Sequence, residues 1–320
     1  MISCSRRRSK GSDILKNKKT PHLMIISLMV IWSLSYLSIK VIVEEISPTL
    51  SAFYRFVLAA IILFVILKIK YPNEKILKED NLKLALGGLF GIAIYFIFEN
   101  SAVANTSASN VAILIATIPV FTLFSQRIFY KEKMTYGKMF GATLSLVGII
   151  IIIASKGRVS LFSKGSIGDL MTLGAVFSWV IYNRVCTNFK GNYKSITITT
   201  YQIMWGSLFL SPSLFFSTLQ IPSTKVVLNI VFLSILCSCI GYIIYIYCLK
   251  QLGATIVTTY INLQPIMSLI AAAVILNEVI TVWQVIGCIV IILGVTLVSL
   301  DGKINFKKFK GRMKSLLRAM

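Results

Sequence analysis

The stretch Ala108-Ser-Asn-Val-Ala-Ile-Leu-Ile-Ala-Thr-Ile-Pro119 opens a segment that the chain contains twice. A shift of 146 positions places residues 108–148 on residues 254–294 without a gap. A proline, a glutamate and two glycines keep one register, which indicates a duplicated unit rather than shared apolar composition. The identities in this register pair Ala108 with Ala254, Ile115 with Ile261, Pro119 with Pro265, Leu123 with Leu269, Glu132 with Glu278, Thr135 with Thr281, Gly141 with Gly287 and Gly148 with Gly294.

The duplication extends upstream of this segment. With an offset of 147, the pairs are Met24 with Met171, Trp32 with Trp179 and Tyr54 with Tyr201. Each copy holds five predicted helices, and an odd number of membrane crossings inserts the second copy upside down relative to the first. We therefore predict basic tails at residues 1–20 and 301–320, five-helix repeats at 21–155 and 167–300, and a linker at 156–166.

The composition is typical of a membrane protein. Of the 320 residues, 56% are hydrophobic and 14% are charged, and the mean hydropathy is +0.82. Apolar stretches of roughly 20 residues, enough to cross about 30 Å of hydrocarbon, follow one another with short breaks. The expected fold is all-α, with ten transmembrane helices arranged as two inverted five-helix repeats. These helices are predicted at residues 22–43, 48–69, 82–103, 107–129, 135–154, 167–188, 196–217, 226–249, 255–276 and 280–300.

The basic residues are distributed unevenly between the two sides of this arrangement. The net charge is +22, and 27 Lys and Arg fall on the side of the termini against 4 on the other. This bias predicts cytoplasmic N- and C-termini. The 1–20 tail is expected to be disordered against anionic lipid headgroups. Because no soluble segment could carry an ordered basic patch, nucleic acid is excluded as a partner.

The residues needed for enzymatic chemistry are scarce. His22 is the sole histidine, and the six cysteines are scattered through apolar runs without the spacing of a zinc site. No G-x-x-x-x-G-K-[ST] motif occurs, which argues against ATP-driven pumping. We expect no enzyme activity, no cofactor and no metal. The apolar run from His22 is interpreted as a first span rather than a cleaved signal peptide, and the expected location is a bacterial plasma membrane.

The chain also resembles the drug/metabolite transporter superfamily, in its EamA-type ten-span branch. The resemblance covers nearly everything between the tails and implies a transporter. Members often have Gly where this chain has Ser33, and the second repeat has Thr187 and Gln202 where the first has Lys40 and Arg55. The residues that carry the resemblance are Trp32-Ser33, Lys40, Pro48, Arg55, Thr106-Ser107-Ala108-Ser109-Asn110, Pro119, Glu132, Gly141, Ala254, Pro265, Glu278 and Gly287.

Three ionisable residues fall inside predicted spans, where a charge normally faces a cavity or a partner. Lys40, Arg55 and Glu99 all lie in the outer half of the membrane, at depths of roughly 6 to 10 Å. One interpretation is that Glu99 pairs with Arg55 or Lys40 beside a translocation path. The alternatives are a static ion pair and a Lys40 that snorkels outward. By contrast, Glu132 and Glu278 follow apolar spans and are expected to anchor helix ends.

Polar and aromatic residues within the spans are the candidates for lining a cavity, because buried polar groups require partners. Pro119 and Pro265 are expected to kink their spans as paired hinges. Gly87, Gly91, Gly141 and Gly148 indicate close helix contacts, within the monomer or across a homodimer. The candidate pathway residues are Trp32, Tyr36, Arg55, Tyr95, Glu99, Asn100, Trp179, Tyr182, Asn183, Tyr242, Tyr245, Tyr260, Asn262 and Gln264.

These features predict a secondary transporter that exports a small metabolite or drug-like molecule by alternating access. Its partners would be that substrate and membrane lipids. Proton-coupled multidrug efflux and a channel-like facilitator are the alternatives, while a membrane enzyme and a scaffold fit the sequence less well. Amino-acid export would require groups for both carboxylate and ammonium, whereas cation export would favour Glu99 close to aromatic rings.

Overall fold

The computed structural model describes residues 5–105, 111, 114–131, 135–154, 166–187, 189–217, 222–267, 270 and 281–300. Every regular element in these ranges is a helix, and a helix occupies the described part of each of the ten predicted ranges. The all-α class is therefore confirmed. Glu132 and Glu278, expected to anchor helix ends, lie outside the described residues.

The described α-helices are numbered in chain order, and two of them continue through a π-helical segment. These segments are called π1 (Leu89–Ile94) and π2 (Leu233–Ile240). The α-helices are α1 (Ser5–Ser33), α2 (Ser35–Val43), α3 (Pro48–Lys70), α4 (Lys78–Gly88), α5 (Tyr95–Asn105), α6 (Ile118–Tyr130), α7 (Tyr136–Ala154), α8 (Ser166–Val185), α9 (Ser195–Leu210), α10 (Ser213–Phe216), α11 (Thr224–Phe232), α12 (Gly241–Leu252), α13 (Ala254–Tyr260) and α14 (Val282–Leu300).

Five described helical segments are long and apolar enough to cross a bilayer. They contain 19 to 29 residues each, compared with the roughly 20 that a span requires. Each buries half of its most apolar window or less within the protein, so the rest of the surface is available to lipid. The segments are Lys19–Val43, Pro48–Lys70, Lys78–Asn105, Thr224–Leu252 and Val282–Leu300.

The described part of the basic stretch before the first span is drawn as helix, and the expectation that the 1–20 tail is disordered stays a prediction. Helix α1 begins at Ser5 and continues through Pro21 into the apolar run.

The two matched prolines begin helical segments rather than kinking continuous ones. A turn at residues 116–117 precedes α6, and Pro119 is its second residue. In the second copy, α13 gives way to a 3₁₀ turn at Ile261–Leu263, and Pro265 is the second residue of the helical segment 264–267. Proline has no N–H to donate, and the first turn of a helix leaves that group unbonded in any case. At both positions the structure therefore has an interrupted helix where a kink in a continuous helix was predicted.

Helices α7 and α14 pack against each other through their glycines. A Cβ atom built on Gly148 would lie 2.7 Å from the carbonyl oxygen of Gly287, and Gly141 stands in the same relation to Gly294. The first residues of one helix thus meet the last residues of the other, so the pair is antiparallel. Gly287 and Gly294 are the repeat equivalents of Gly141 and Gly148, so the contact of Gly141 with Gly294 recurs as the contact of Gly287 with Gly148. A pseudo-two-fold axis therefore passes between the two helices.

The same exchange of contacts relates the π-helical segments. Ser178 Oγ donates to the carbonyl oxygen of Phe90 at 2.6 Å, and Cys237 Sγ lies 3.9 Å from the carbonyl oxygen of Ile31. Under the 147-residue offset, Ile31 corresponds to Ser178 and Phe90 to Cys237. The first helix of each copy therefore packs on the third helix of the other, and the copies are interleaved rather than side by side.

Candidate functional site

A cavity of about 40 Å³ lies between the two copies. It receives side chains from α1, α2, α3, α5, α6, α8 and α12. Further side chains come from the two helix interruptions before Pro119 and Pro265. Its described lining residues are Trp32, Ser35, Arg55, Tyr95, Phe96, Glu99, Ile115, Ile118, Trp179, Tyr242, Ile261 and Gln264.

Eight of these lining residues form four pairs under the repeat offsets. Their symmetry places the cavity on the pseudo-two-fold axis, where the discontinuous helices of both copies break. The pairs are Trp32 with Trp179, Tyr95 with Tyr242, Ile115 with Ile261 and Ile118 with Gln264.

Aromatic rings from both copies form the wall of the cavity. The ring centroids of Trp32 and Trp179 are 5.8 Å apart at an interplanar angle of 78°, and those of Tyr95 and Trp179 are 4.7 Å apart. Polar atoms on these rings bond to carbonyl groups of the π-helical segments. Trp32 Nε1 donates to the carbonyl oxygen of Cys237 at 3.1 Å, and the Tyr242 hydroxyl donates to that of Gly91 at 2.8 Å. The π-helical geometry thus supplies backbone acceptors that fix the cavity wall.

A buried hydrogen-bond chain lies behind this wall. Trp179 Nε1 donates to the Tyr245 hydroxyl at 3.0 Å, and that hydroxyl donates to Asn183 Oδ1 at 2.7 Å. Tyr182 donates to Gln202 Oε1 at 3.3 Å. These contacts orient Trp179, so Tyr182, Asn183 and Tyr245 support the cavity without being among its described lining residues.

Arg55 is the positively charged residue among the described lining of the cavity. Its side chain is 4% exposed, and Nε donates to Ser238 Oγ at 2.7 Å. The guanidinium carbon lies 4.9 Å from the ring centroid of Phe56 and 4.5 Å from that of Phe96. Because both rings attract a desolvated cation, the guanidinium is held at the cavity wall without a carboxylate on it.

Glu99 is the negatively charged residue among the described lining, and it is 5% exposed. It accepts a hydrogen bond from the Tyr95 hydroxyl at 2.8 Å. A direct ion pair with Arg55 is not among the contacts that the structure gives to Arg55. The two charges share the cavity instead. Lys40 is exposed on α2 and is not among the described lining residues, as the snorkelling interpretation expects.

Three other sequence candidates are used in packing away from the cavity lining. Asn100 donates to the carbonyl oxygen of Pro48 at 3.0 Å, Tyr260 contacts His22 Nδ1 at 2.7 Å, and Asn262 donates to Ser145 Oγ at 2.7 Å. The side chain of Tyr36 lies outside the description.

Five lining residues were missed by the sequence reasoning: Ser35, Phe96, Ile115, Ile118 and Ile261. Four of them are apolar, and a search for buried polar groups cannot find them. Ile115 and Ile261 were already present as an identity of the repeat, beside the two prolines. Their position close to the two matched prolines was the available signal.

A group of hydrogen bonds closes the space between the two copies at the N-terminal end of α3. Both the backbone N–H and the hydroxyl of Ser223 donate to the Glu45 carboxylate, the hydroxyl at 2.6 Å. Next to this contact, the hydroxyl oxygens of Ser47 and Ser217 are 2.9 Å apart. We call these four residues the 45–223 closure.

A second closure joins the copies at the opposite end of α3. Asp80 is fully buried and accepts from the N–H groups of Lys190 and Gly191, at 2.9 Å each, and from the Tyr193 hydroxyl at 3.0 Å. Glu74 accepts from the N–H of Lys194 at 2.9 Å. Under the offset of 147, Glu45 and Ser223 correspond to residues 192 and 76, which lie within these segments. We call these contacts of Asp80 and Glu74 with residues 190–194 the 80–193 closure. It is the symmetry mate of the 45–223 closure.

A bundle of helical spans around a symmetric polar and aromatic cavity defines a class of membrane proteins that bind small molecules between inverted repeats. The family model for EamA-like transporters matches residues 19–154 and again residues 166–300. The chain belongs to the EamA-like transporter family and is a multi-pass membrane transporter, which confirms the resemblance noted in the sequence.

Several curated relatives are similar over most of their length. An uncharacterized transporter of Archaeoglobus fulgidus is 33% identical over 285 residues, which cover 88% of this chain and 97% of the relative. The uncharacterized transporter YdfC of Bacillus subtilis is 29% identical and covers 87% of this chain and 91% of its own. A protein of Streptantibioticus cattleyicolor, named "Probable terminal-alkyne amino-acid exporter", is 25% identical over 68% of this chain and 72% of its own.

A solved crystal structure has the same fold. It superimposes with a TM-score of 0.70 at 16% identity, covering 88% of this chain and 98% of its own. At this identity the likeness concerns the fold alone.

Proposed function

We propose that this protein is a secondary transporter that exports a small metabolite or drug-like molecule across the bacterial plasma membrane by alternating access. The observation that carries the proposal is the cavity on the pseudo-two-fold axis, lined by four residue pairs from the two copies. Transporters built from inverted repeats bind their substrates at such an interface, near broken helices.

The paired closures support alternating access. Helix α3 has 23 residues and is therefore about 34 Å long, so its two ends lie near opposite membrane surfaces. A closure between the copies is present at each end. In a carrier, one closure opens while the other holds, and an inverted repeat gives both sides equivalent parts for this exchange.

The size of the cavity supports a conformational cycle rather than an open pore. At about 40 Å³ it accommodates about three water molecules, whereas sites for small molecules measure about 300 to 1,000 Å³. Entry of a substrate therefore requires movement. The discontinuous helices at Pro119 and Pro265 supply hinges beside the cavity, because a broken helix can bend there without losing backbone hydrogen bonds.

The proposed topology has ten spans with cytoplasmic termini, which places the 80–193 closure on the basic, cytoplasmic side. Export is favoured by the name of the Streptantibioticus cattleyicolor relative, an exporter. Proton-coupled efflux is the second candidate, because Glu99 is a buried carboxylate in the cavity wall.

Purified protein in liposomes tests the proposal with a panel of amino acids, other metabolites and drug-like cations. A carrier gives rates that saturate with concentration, and substrate on the far side accelerates exchange. Rates that rise without saturation and without this acceleration would establish a channel instead. Proton coupling is established if a pH gradient drives uptake and Glu99→Gln abolishes this gradient-driven uptake.

A disulfide across one closure tests the movement itself. Cysteines in place of Ser47 and Ser217, whose hydroxyl oxygens are 2.9 Å apart, are well placed to bond, and the described native cysteines are mostly buried. Oxidation should stop transport, and reduction should restore it. The single variant Ser47→Cys, treated in the same way, is the control. Full transport by the oxidised double variant would contradict alternating access at this closure.

A further inference from the structure

The cavity extends further into the first copy than into the second. Eight of its described lining residues are paired by the repeat, and the other four all belong to the first copy. These four are Ser35, Arg55, Phe96 and Glu99. None of their repeat equivalents is among the described lining residues, and these equivalents are Tyr182, Gln202, Ile243 and Ile246. The space beside the pseudo-two-fold axis is therefore open on one side and filled on the other.

Tyr182 fills this space on the side of the second copy. It is fully buried, and its hydroxyl donates to Gln202 Oε1 at 3.3 Å. Its ring packs against Trp179, with the ring centroids 5.0 Å apart. A Cβ atom built on Gly91 would overlap the Tyr182 ring, so the ring occupies the space that a side chain at position 91 would take. Tyrosine, glutamine and glycine therefore close this part of the wall together.

The first copy has different residues at all three of these positions. Under the offset of 147, Ser35 corresponds to Tyr182, Arg55 to Gln202 and Ser238 to Gly91. Ser35 has no ring to place in the wall, and its hydroxyl donates to the carbonyl oxygen three residues earlier at 2.7 Å. Ser238 accepts a hydrogen bond from Arg55 Nε at 2.7 Å, which holds Arg55 at the cavity. Where the second copy has a phenol ring, the first has open space between Ser35 and Arg55, which we call the 35–55 compartment.

We infer that Ser35 is a specificity-determining residue, which sets the size of the molecule that the cavity accepts by leaving the 35–55 compartment open. The inference rests on the proposed function, which makes this cavity the substrate site. A tyrosine at position 35 would fill the compartment as Tyr182 fills its equivalent. Packed side chains resist the insertion of additional volume, so a molecule that needs this space is excluded once the space is filled. In the native protein such a molecule binds off the axis, against the first copy.

The compartment itself is tested with thiol reagents and needs no substrate. Ser35→Cys places a thiol at the wall of the full-length protein in liposomes, and methyl and benzyl methanethiosulfonate measure the space around it. Both reagents should modify residue 35, as detected by mass spectrometry of the peptide that contains it. Ser178→Cys is the matched control, because Ser178 is 3% exposed on α8 and is not among the described lining residues. Residue 178 should stay unmodified by the benzyl reagent.

Selection by size is tested with the double variant Ser35→Tyr, Ser238→Gly. It copies the second copy at both positions, because the glycine makes room for the ring. Ser238→Gly alone removes the same hydroxyl group and leaves the compartment open, so it is the reference. The probes are two series of increasing size: glycine, leucine and tryptophan, and tetramethylammonium, tetraethylammonium and tetraphenylphosphonium. In a series that the reference binds, the affinity of the largest member relative to the smallest should fall by at least about tenfold in the double variant.

The inference is overturned if residue 35 reacts with the benzyl reagent no faster than residue 178, or if the double variant keeps the affinity ratio of the reference. Melting temperatures identify failures of folding, and the thiol measurement does not depend on the double variant. The carrier proposal fails on different evidence, namely transport without saturation or exchange in liposomes. An open compartment that selects by size in a protein without saturable transport would sustain the inference and refute the carrier. A saturable carrier whose size selection ignores position 35 would do the reverse.

Discussion

Gly141 and Gly294 are in backbone contact: a Cβ atom on Gly141 would lie 2.7 Å from the carbonyl oxygen of Gly294, and one on Gly294 would lie 2.5 Å from that of Gly141. Neither distance is possible for a real side chain without movement of the helices. Small residues permit such close packing between helices in lipid, where dispersion rather than the hydrophobic effect holds helices together. These glycine faces are occupied by the contact between α7 and α14.

Replacement of Gly141 or Gly294 by Leu should separate α7 from α14. Overpacking of this kind costs about 1 to 3 kcal/mol, and here the obstacle is backbone that cannot rotate away. We expect a lower melting temperature in detergent for each variant. Thr143→Leu introduces the same side chain on the exposed face of α7 and is the control. Equal melting temperatures for the Gly141 and Thr143 variants would contradict this packing.

Asp80 and Glu79 are neighbours with very different surroundings, which makes them a matched pair. Asp80 is fully buried and accepts from two N–H groups and a tyrosine hydroxyl, whereas Glu79 and its partner Lys190 are 62% and 63% exposed. Asp80→Asn should lower the free energy of unfolding by about 1.5 to 3 kcal/mol, because a buried charged acceptor is lost.

Glu79→Gln should change the free energy of unfolding by less than about 1 kcal/mol, since exposed ion pairs contribute little. Denaturant unfolding of both variants measures the difference. Similar losses in the two variants would show that the 80–193 closure does not depend on the buried carboxylate.

Pro119 and Pro265 should control transport more than stability. Alanine at either position restores an N–H group and allows the preceding helical turn to continue through the break. We expect the melting temperature to be maintained and the transport rate to fall, with the larger fall in the double variant. Pro72→Ala, in the connection between α3 and α4, is the control. Undiminished transport by the double variant would show that the breaks shape the cavity without acting as hinges.

Much of the fold was predictable from the sequence, because the repeat landmarks and the apolar runs fix which segments are helical. The helix breaks at Pro119 and Pro265 were predicted only as kinks. Their character depends on which neighbouring carbonyl groups find other partners, and that is decided by packing. The π-helical segments were not predicted, since they depend on contacts such as Ser178 to Phe90 across the two copies.

The site was predictable in part for a similar reason. Ionisable residues in apolar runs identified Arg55 and Glu99, and repeat identity identified the two tryptophans. Sequence could not separate Tyr242, which lines the cavity, from Tyr245 three residues later, which bonds Trp179 from behind. Tyr242 and Tyr245 lie on one helix face, but they differ in their position relative to the cavity. That position is set by how the neighbouring helix packs.

The 45–223 closure should depend on pH through Glu45. The hydroxyl of Ser223, and next its backbone N–H, hold the pKa of Glu45 below its ordinary value. A lowered pKa in the folded state means that the contribution to stability is present above the ordinary pKa, about 4.3, and is lost as the pH falls through the folded value. The melting temperature of the wild type should exceed that of Glu45→Gln at pH 7, and this difference should disappear as the pH falls through the lowered pKa of Glu45. Glu44→Gln, at an exposed position one residue away, should show no such pH-dependent difference. A difference for Glu45→Gln that stayed constant between pH 7 and pH 3 would contradict a charged carboxylate in this closure.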